Sequence, residues 1–298
     1  MIKKIKYLFL ISLLLFNYHA LAEISIESYG GNIYVENATV EELEALYKKH
    51  NYQRFHLLKE DYFPAIFVKS LPKDFQQIES QKYRNEIFIR ILTPLALKIN
   101  EEISNERSAL LRLERNYKEN KSLTAEETEK LEELAKKYDY FTRLKNNQRI
   151  ETQFKNLKTR IDIIPPSILI ATAAIESNWG FSRIANVANS LYKEKLWYTT
   201  EGLEPLENKD DGYRFKIFDS LIDSIRSFAL TFNSNINYAT VWEAREGLRA
   251  RRGKVFGESI AYTLAISSKL PNFAGILDYT TAFYDLYSLD KGKLKRID

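Results

Sequence analysis

The stretch Ala171-Thr-Ala-Ala-Ile-Glu-Ser-Asn-Trp-Gly180 places one carboxylate, Glu176, at the end of an apolar helical segment. Residues 168–175 are almost wholly apolar, which is typical of a helix buried on all sides. An acid at the end of such a helix costs stability unless it is paired or kept neutral. A general acid needs the raised pKa that burial produces. Glu176 is therefore the first candidate for chemistry, on a helix that we expect to begin near Pro166 and to be capped by Gly180.

The first 22 residues have the pattern of a secretory signal peptide. Three lysines precede the apolar run 7–16, and the small residues of Ala20-Leu-Ala22 follow it. Without these three lysines the formal net charge falls from +4 to +1. We therefore expect an exported protein, periplasmic or secreted, that begins near Glu23 and has no stable membrane insertion after cleavage; an uncleaved anchor is the alternative.

Composition excludes several function classes. The chain has no cysteine, so no disulfide framework or thiol nucleophile is expected. Its three histidines have no further ligand at a metal-site spacing, so we expect neither a metal nor another cofactor. No basic block is interleaved with aromatic residues, which disfavours nucleic acid as a partner.

The residues before this stretch predict helices. Thr39-Val-Glu-Glu42 and Thr124-Ala-Glu-Glu127 are capping boxes. An apolar stripe predicts a long helix over 77–118, kinked or restarted at Pro94. It pairs with a second helix into a hairpin. The predicted buried face of that second helix is Leu131, Leu134, Tyr138, Phe141 and Leu144.

After the stretch, a small β element interrupts the helices. Residues 198–200 and 213–218 are predicted strands, and further helices are predicted from Leu221 to Leu289. The predicted fold class is mainly α, of the α+β kind: a helical catalytic domain with a small inserted β-lobe and an N-terminal helical hairpin extension. The predicted division is a signal peptide (1–22), an extension (23–160) and a catalytic domain (161–292).

Three motifs in order resemble the glucosaminidase domain of bacterial cell-wall hydrolases. They are Ala174-Ile-Glu-Ser-Asn-Trp-Gly180, Ala188-Asn-Ser-Leu-Tyr192 and Phe218-Asp-Ser220. Within that family the chain is most similar to the Bax-type proteins, through residues 164–168 and 198–205. The resemblance implies a lysozyme-like fold and cleavage of the peptidoglycan glycan next to N-acetylglucosamine.

The same resemblance implies the catalytic residues. Glu176 matches the catalytic acid, and Tyr238 matches a tyrosine near the cleavage point. A second carboxylate is expected in the insertion, where the candidates are Glu194, Glu201, Glu204 and Glu207. Glu201 ranks first because its segment is most similar to the Bax-type pattern. The alternatives are an ion pair of Glu176 with Arg183, core packing for Tyr238, and a solvated loop charge for each insertion glutamate.

Sugar-binding residues are predicted around this acid because apolar sugar faces stack on aromatic rings. The candidates are Trp179, Asn189, Tyr192, Trp197 and Glu204. For Trp179 the alternative is a packing anchor behind the acid, and for Asn189 a tie to the backbone.

The sequence therefore predicts an exported peptidoglycan hydrolase that cleaves the β-1,4 bond after N-acetylglucosamine. Its expected partner is the glycan strand, while protein partners stay open. Two alternatives remain: a non-catalytic wall-binding or scaffold protein, and a cell-wall amidase.

Overall fold

The computed structural model describes residues 23–53, 61–138, 147–207, 211–267 and 272–297. The predicted signal peptide, residues 1–22, lies outside these ranges and stays a prediction. Helices dominate the described chain, which confirms the mainly α class. They are α1 (Val40–Lys49), α2 (Gln81–Asn120), α3 (Ala125–Lys137), α4 (Asn147–Arg160), α5 (Pro166–Ser177), α6 (Arg183–Ala188), α7 (Leu221–Ser234), α8 (Ala239–Arg252), α9 (Gly257–Ser267) and α10 (Phe273–Phe283).

Both predicted capping boxes are confirmed. The Thr39 side chain accepts a hydrogen bond from the Glu42 backbone N–H, and the Glu42 carboxylate accepts one from the Thr39 N–H at 2.7 Å. Thr124 and Glu127 make the same reciprocal pair at the start of α3. Each pair satisfies two backbone donors that the first helical turn leaves open.

The long helix α2 runs unbroken through Pro94, so the predicted restart there is wrong. A proline lacks the N–H that would bond the carbonyl four residues earlier, here that of Arg90. The Tyr52 hydroxyl donates to that carbonyl at 3.0 Å instead. The Thr93 hydroxyl also donates to the Ile89 carbonyl, at 2.7 Å. These hydrogen bonds compensate for the missing one.

The predicted helical hairpin is present as α2 packed on α3. Helix α3 ends at Lys137, and Tyr138 caps it. The expected continuation through Phe141 and Leu144 lies outside the described residues. Helix α4, which the sequence analysis missed, packs against α2 and α3.

Short strands occur where the sequence predicted only helices and loops. Strands β1 (Ser25–Tyr29), β2 (Asn32–Glu36) and β4 (Ile66–Val68) form one sheet, in which β2 and β4 are parallel. Strand β3 (Tyr62–Pro64) pairs with β7 (Lys293–Lys295), close to the other end of the described chain. The sequence did not predict these strands, which accompany the helices of the predicted N-terminal extension. Three of these strands have three residues each, too few to show an alternating pattern.

The β-lobe is the antiparallel pair β5 (Lys195–Trp197) and β6 (Tyr213–Phe215). Strand β5 lies three residues before the predicted strand 198–200, because Tyr198 takes a left-handed φ of 54° and ends it. Strand β6 starts where predicted but stops at Phe215 rather than residue 218. An isolated bridge joins Leu203 to Phe215 and folds the intervening loop onto the pair.

Helix α5 lies inside one hydrophobic core that extends from the first sheet to the C-terminal helices. It packs against α2, α9 and α10, and its residues from Ile168 to Ala174 are buried. Pro166 occupies the first helical turn, as predicted. The cap at the other end is Asn178 with φ 51°, not Gly180. The core therefore holds α5 fixed and leaves only its last turn close to solvent.

No helix in the described ranges is both long enough and apolar enough to span a membrane.

Candidate active site

Glu176 is the penultimate residue of α5, and its side chain is 19% exposed. The helix before it is buried, so the carboxyl has lost most of its contact with water. Burial raises the pKa of Glu176, and the nearby charge of Lys193 lowers it by less. A raised pKa is the direction that a general acid needs. The catalytic role of this carboxyl stays a prediction.

Three successive residues after α5 adopt left-handed backbone and form a tight turn. Asn178, Trp179 and Gly180 have φ of 51°, 56° and 75°. The Ser177 hydroxyl donates to the Ala173 carbonyl and accepts from the Gly180 N–H at 2.8 Å. A Cβ at residue 180 would lie 2.9 Å from the Phe88 ring, so this close approach requires glycine. The turn closes the chain against α2 directly behind Glu176.

Trp179 packs inside the protein. Its ring lies 4.5 Å from that of Tyr284 and 6.1 Å from that of Phe88, measured between centroids, and it is partly buried. These contacts favour the packing anchor over a sugar platform.

The charge nearest to Glu176 is Lys193. Its Nζ lies 3.8 Å from Glu176 Oε2. The alternative partner considered from the sequence, Arg183, instead donates to the backbone carbonyl of Glu204. Sequence reasoning missed Lys193.

Tyr238 closes a 3-10 turn just before α8 and stacks on Phe232 at 4.7 Å. Burial raises the pKa of its phenol, and the charges of Glu176 and Glu194 raise it further. The phenol therefore lies within electrostatic reach of two carboxylates. These two carboxylates are the predicted acid and one glutamate of the insertion.

Glu194 is the insertion glutamate that the fold partly buries. The Ser227 hydroxyl donates to its Oε2 at 2.8 Å, and Lys216 Nζ donates to that hydroxyl at 2.8 Å. Its Oε1 is buried without a hydrogen-bond partner among the described residues. Burial raises the pKa of Glu194, while the Ser227 hydrogen bond and the charge of Lys216 lower it.

No local sequence signal singles out Glu194, because both of its neighbours, Lys193 and Lys195, are charged as well. Burial alternates from Tyr192 through Lys193, Glu194 and Lys195, so Glu194 shares the inward side with buried Tyr192. The sequence analysis considered Glu194 as one of four loop charges and ranked Glu201 above it.

The other predicted carboxylates lie in the β-lobe. Glu201 is exposed, and its backbone N–H donates to the Thr199 hydroxyl at 3.1 Å. Glu204 and Glu207 are exposed as well. The described contacts place none of these three carboxylates against Glu176.

The remaining predicted sugar-binding residues occupy three different settings. Trp197 is 54% exposed on β5, with Tyr213 5.6 Å away on β6. Tyr192 is buried, stacks on Phe228 at 4.0 Å and donates its hydroxyl to the Leu169 carbonyl. Asn189 caps α6, and its amide donates to the Phe218 carbonyl at 3.1 Å. Of these three, Trp197 is the exposed one, although Lys195 Nζ lies 5.5 Å from its ring centroid, whereas Tyr192 serves the core.

In the described ranges, no group of three or more His, Cys, Asp or Glu side chains is arranged to hold a metal ion.

Known proteins are similar to the part of the chain that contains Glu176 and Tyr238. The glucosaminidase family, described as mannosyl-glycoprotein endo-beta-N-acetylglucosaminidase, matches residues 151–277. Protein Bax of Escherichia coli strain K12 is 28% identical over 195 residues, which are 65% of this chain and 67% of Bax. Over these regions the chain is similar to the glucosaminidase family and to Bax. The family match begins in α4 and ends in α10, so the matched region contains Glu176, Lys193, Glu194 and Tyr238.

A solved structure is also similar to this chain. It is the catalytic domain of the autolysin Auto from Listeria monocytogenes, 18% identical, covering 74% of this chain and 90% of that domain. The TM-score of 0.36 is too low for an element-by-element comparison of the two folds.

Proposed function

We propose that this protein is an exported peptidoglycan hydrolase that cleaves the β-1,4 glycosidic bond after N-acetylglucosamine, with Glu176 as general acid. The observation that carries the proposal is the half-buried Glu176 carboxyl at the end of buried α5, inside the region that the glucosaminidase family matches. The family description names an N-acetylglucosaminidase, and the similar Listeria protein is an autolysin.

The proposed reaction begins with proton transfer from Glu176 to the leaving glycosidic oxygen. Positive charge grows on the sugar ring as that bond breaks. The raised pKa of Glu176 keeps a larger fraction of the acid protonated near neutral pH than an exposed glutamate would keep. The Tyr238 phenol, whose pKa is also raised, stays neutral and can donate a hydrogen bond to the acetamido group or to water.

The β-lobe is the proposed second wall of the glycan groove. Its exposed Trp197 offers a ring face on which an apolar sugar face can stack. Glu201 and Glu204 belong to the same lobe and remain candidates for the second carboxylate and for a sugar contact. Glu194 is a further candidate for the second carboxylate because it lies near Tyr238.

We further propose that export through residues 1–22 takes the protein to the cell envelope, and that residues 161–292 carry the activity. Residues 23–160 are then an extension whose α2 packs directly on α5.

Digestion of purified sacculi tests the proposal. Wild-type protein should release fragments with new reducing ends at N-acetylglucosamine, and Glu176→Gln should release none, because its amide has no acidic proton to give. Glu129→Gln, an exposed glutamate on α3, is the matched control and should retain full activity. Free amino groups would indicate an amidase, anhydro-muramyl ends a lytic transglycosylase, and tight binding without products a wall-binding protein; each result would contradict the proposal.

The same assay separates the candidates for the second carboxylate. Glu194→Gln and Glu201→Gln each keep side-chain size while removing the charge. If Glu201 activates water from a mobile β-lobe, only Glu201→Gln loses most activity. If the negative charge of Glu194 is needed instead, Glu194→Gln loses most activity and Glu201→Gln keeps it.

A further inference from the structure

Lys193 has an unusual backbone for a lysine. Its φ is 49°, in the left-handed region that favours glycine. It directly follows Tyr192, which is buried in the core. A side chain kept at such a position marks a site where the surrounding structure imposes the conformation, often for a function.

The two neighbours of Lys193 explain how this conformation is held. Tyr192 is fixed by its stack on Phe228 and by its hydrogen bond to the Leu169 carbonyl. Glu194 is fixed by the Ser227 hydroxyl. Because both neighbours point inward, the side chain between them points outward, and its ammonium reaches the Glu176 carboxylate at 3.8 Å.

We propose that Lys193 is a positioning residue for the acid: it sets the pH range over which Glu176 keeps its proton. The effect of Lys193 on the pH dependence of glycan cleavage rests on the proposed function, whereas its effect on the pKa of Glu176 does not. The lysine is 45% exposed and 3.8 Å away, beyond a close hydrogen bond, so it tunes the acid without locking it in an ion pair.

The groups facing Glu176 give the sign of this effect. Lys193, from the loop after α6, favours the ionised carboxylate, and burial favours the neutral acid. Tyr238, from the turn before α8, is neutral at ordinary pH. The charge of Glu194 also acts on that phenol, and its Oε2 accepts from the Ser227 hydroxyl, which in turn accepts from Lys216 Nζ. Removing the positive charge of Lys193 therefore raises the pKa of Glu176.

Three substitutions at this position separate charge from backbone. Lys193→Gln removes the charge and keeps most of the length. Lys193→Gly removes the charge and also suits the left-handed backbone, so its melting temperature should equal or exceed that of Lys193→Gln. Lys193→Arg keeps the charge and should behave as wild type. The control is Lys98→Gln on α2, because Lys98 makes an ion pair of the same 3.8 Å length with Glu101.

The first readout is the titration of the Glu176 side-chain carboxyl carbon by NMR, assigned with Glu176→Gln. A unit charge about 4 Å away in water-like screening is expected to shift a pKa by about 0.7 units. The Glu176 pKa should rise by that amount in Lys193→Gln and Lys193→Gly and stay unchanged in Lys193→Arg and Lys98→Gln. An unchanged pKa in Lys193→Gln would overturn the inference.

The second readout is the pH dependence of kcat/KM on soluble glycan strands. The pH at which activity falls on the alkaline side should rise by the same interval, about 0.7 units, in Lys193→Gln and Lys193→Gly. At pH values well above that point, kcat/KM should therefore be about fivefold higher than in wild type. A lysine that only stabilised the loop would lower activity at every pH and leave that point unchanged, which would contradict the inference. If the NMR titration shifts but wild type cleaves no glycan at any pH, the effect of Lys193 is supported and the proposed function fails.

Discussion

At the scale of single residues, two partly buried glutamates near one phenol have unlike surroundings. Glu176 faces the exposed Lys193, and its own side chain is still 19% exposed. Glu194 has one oxygen bonded by Ser227 and the other buried without a partner. The first can reach a substrate, while the second acts on the site through the charge that it places near Tyr238. Acid chemistry is therefore expected from Glu176 and not from Glu194.

Tyr238→Phe tests the phenol on which both carboxylate charges act. The ring should still stack on Phe232, so the melting temperature should change little. The lost hydroxyl should lower kcat by roughly tenfold to a hundredfold, as expected for a group that orients a reacting molecule. Steady-state kinetics and a thermal melt measure the two effects. An unchanged kcat would assign Tyr238 to the core alone.

At the scale of elements, local signals and distant contacts explain which predictions held. The caps at Thr39 and Thr124 and the apolar run of α5 are written in adjacent residues, so the sequence predicts them. The passage of α2 through Pro94 depends on Tyr52, 42 positions away, and the burial of Glu194 depends on Ser227, 33 positions away. No local pattern contains such partners. The position of the acid was therefore predictable, whereas the glutamate beside Tyr238 was not singled out.

Arg245 links two elements that the sequence analysis did not connect. It is fully buried on α8, and its guanidinium donates to the carbonyls of Thr159 and Arg160 at the end of α4 and to Asn233 Oδ1. Because Arg245→Met leaves these acceptors buried and unpaired, it should lower the free energy of unfolding by about 3–5 kcal/mol.

Urea unfolding measures that loss. Arg251→Gln removes an exposed arginine from the same helix and should change the free energy of unfolding by less than about 0.5 kcal/mol. Equal stabilities for the two variants would show that Arg245 does not hold α4 to α8.

At the scale of the whole molecule, distant parts of the chain meet at α5. Asp290 accepts hydrogen bonds from the Ser167 N–H and hydroxyl at the start of α5 and from the Gly257 N–H at the start of α9. Strand β7 then pairs with β3. Both strands contact α2, and α2 packs on α5, so this pairing reaches the helix that carries Glu176 through α2.

Asp290 also predicts how stability depends on pH. Burial raises its pKa to about 6, despite three hydrogen bonds that favour the ionised form. Because the folded protein binds this proton more tightly than the unfolded chain does, the contribution of Asp290 to stability is greatest below about pH 4 and falls as pH rises to about 6. The fall amounts to about 3 kcal/mol for a shift of this size.

Denaturant melts of wild type and Asp290→Asn between pH 4 and pH 7 measure this dependence. The free energy of unfolding of the variant relative to wild type should increase over that interval, since asparagine does not titrate. Parallel curves would mean that Asp290 titrates alike in the folded and unfolded protein.

The most direct test of Glu176 as the acid of a glycan hydrolase is digestion of purified sacculi in ¹⁸O-labelled water, with the products read by mass spectrometry. Hydrolysis at N-acetylglucosamine should place one ¹⁸O atom at the new reducing end with wild type and with Glu129→Gln, and yield no product with Glu176→Gln. Unlabelled anhydro ends, label in the peptide, or undiminished cleavage by Glu176→Gln would contradict this assignment.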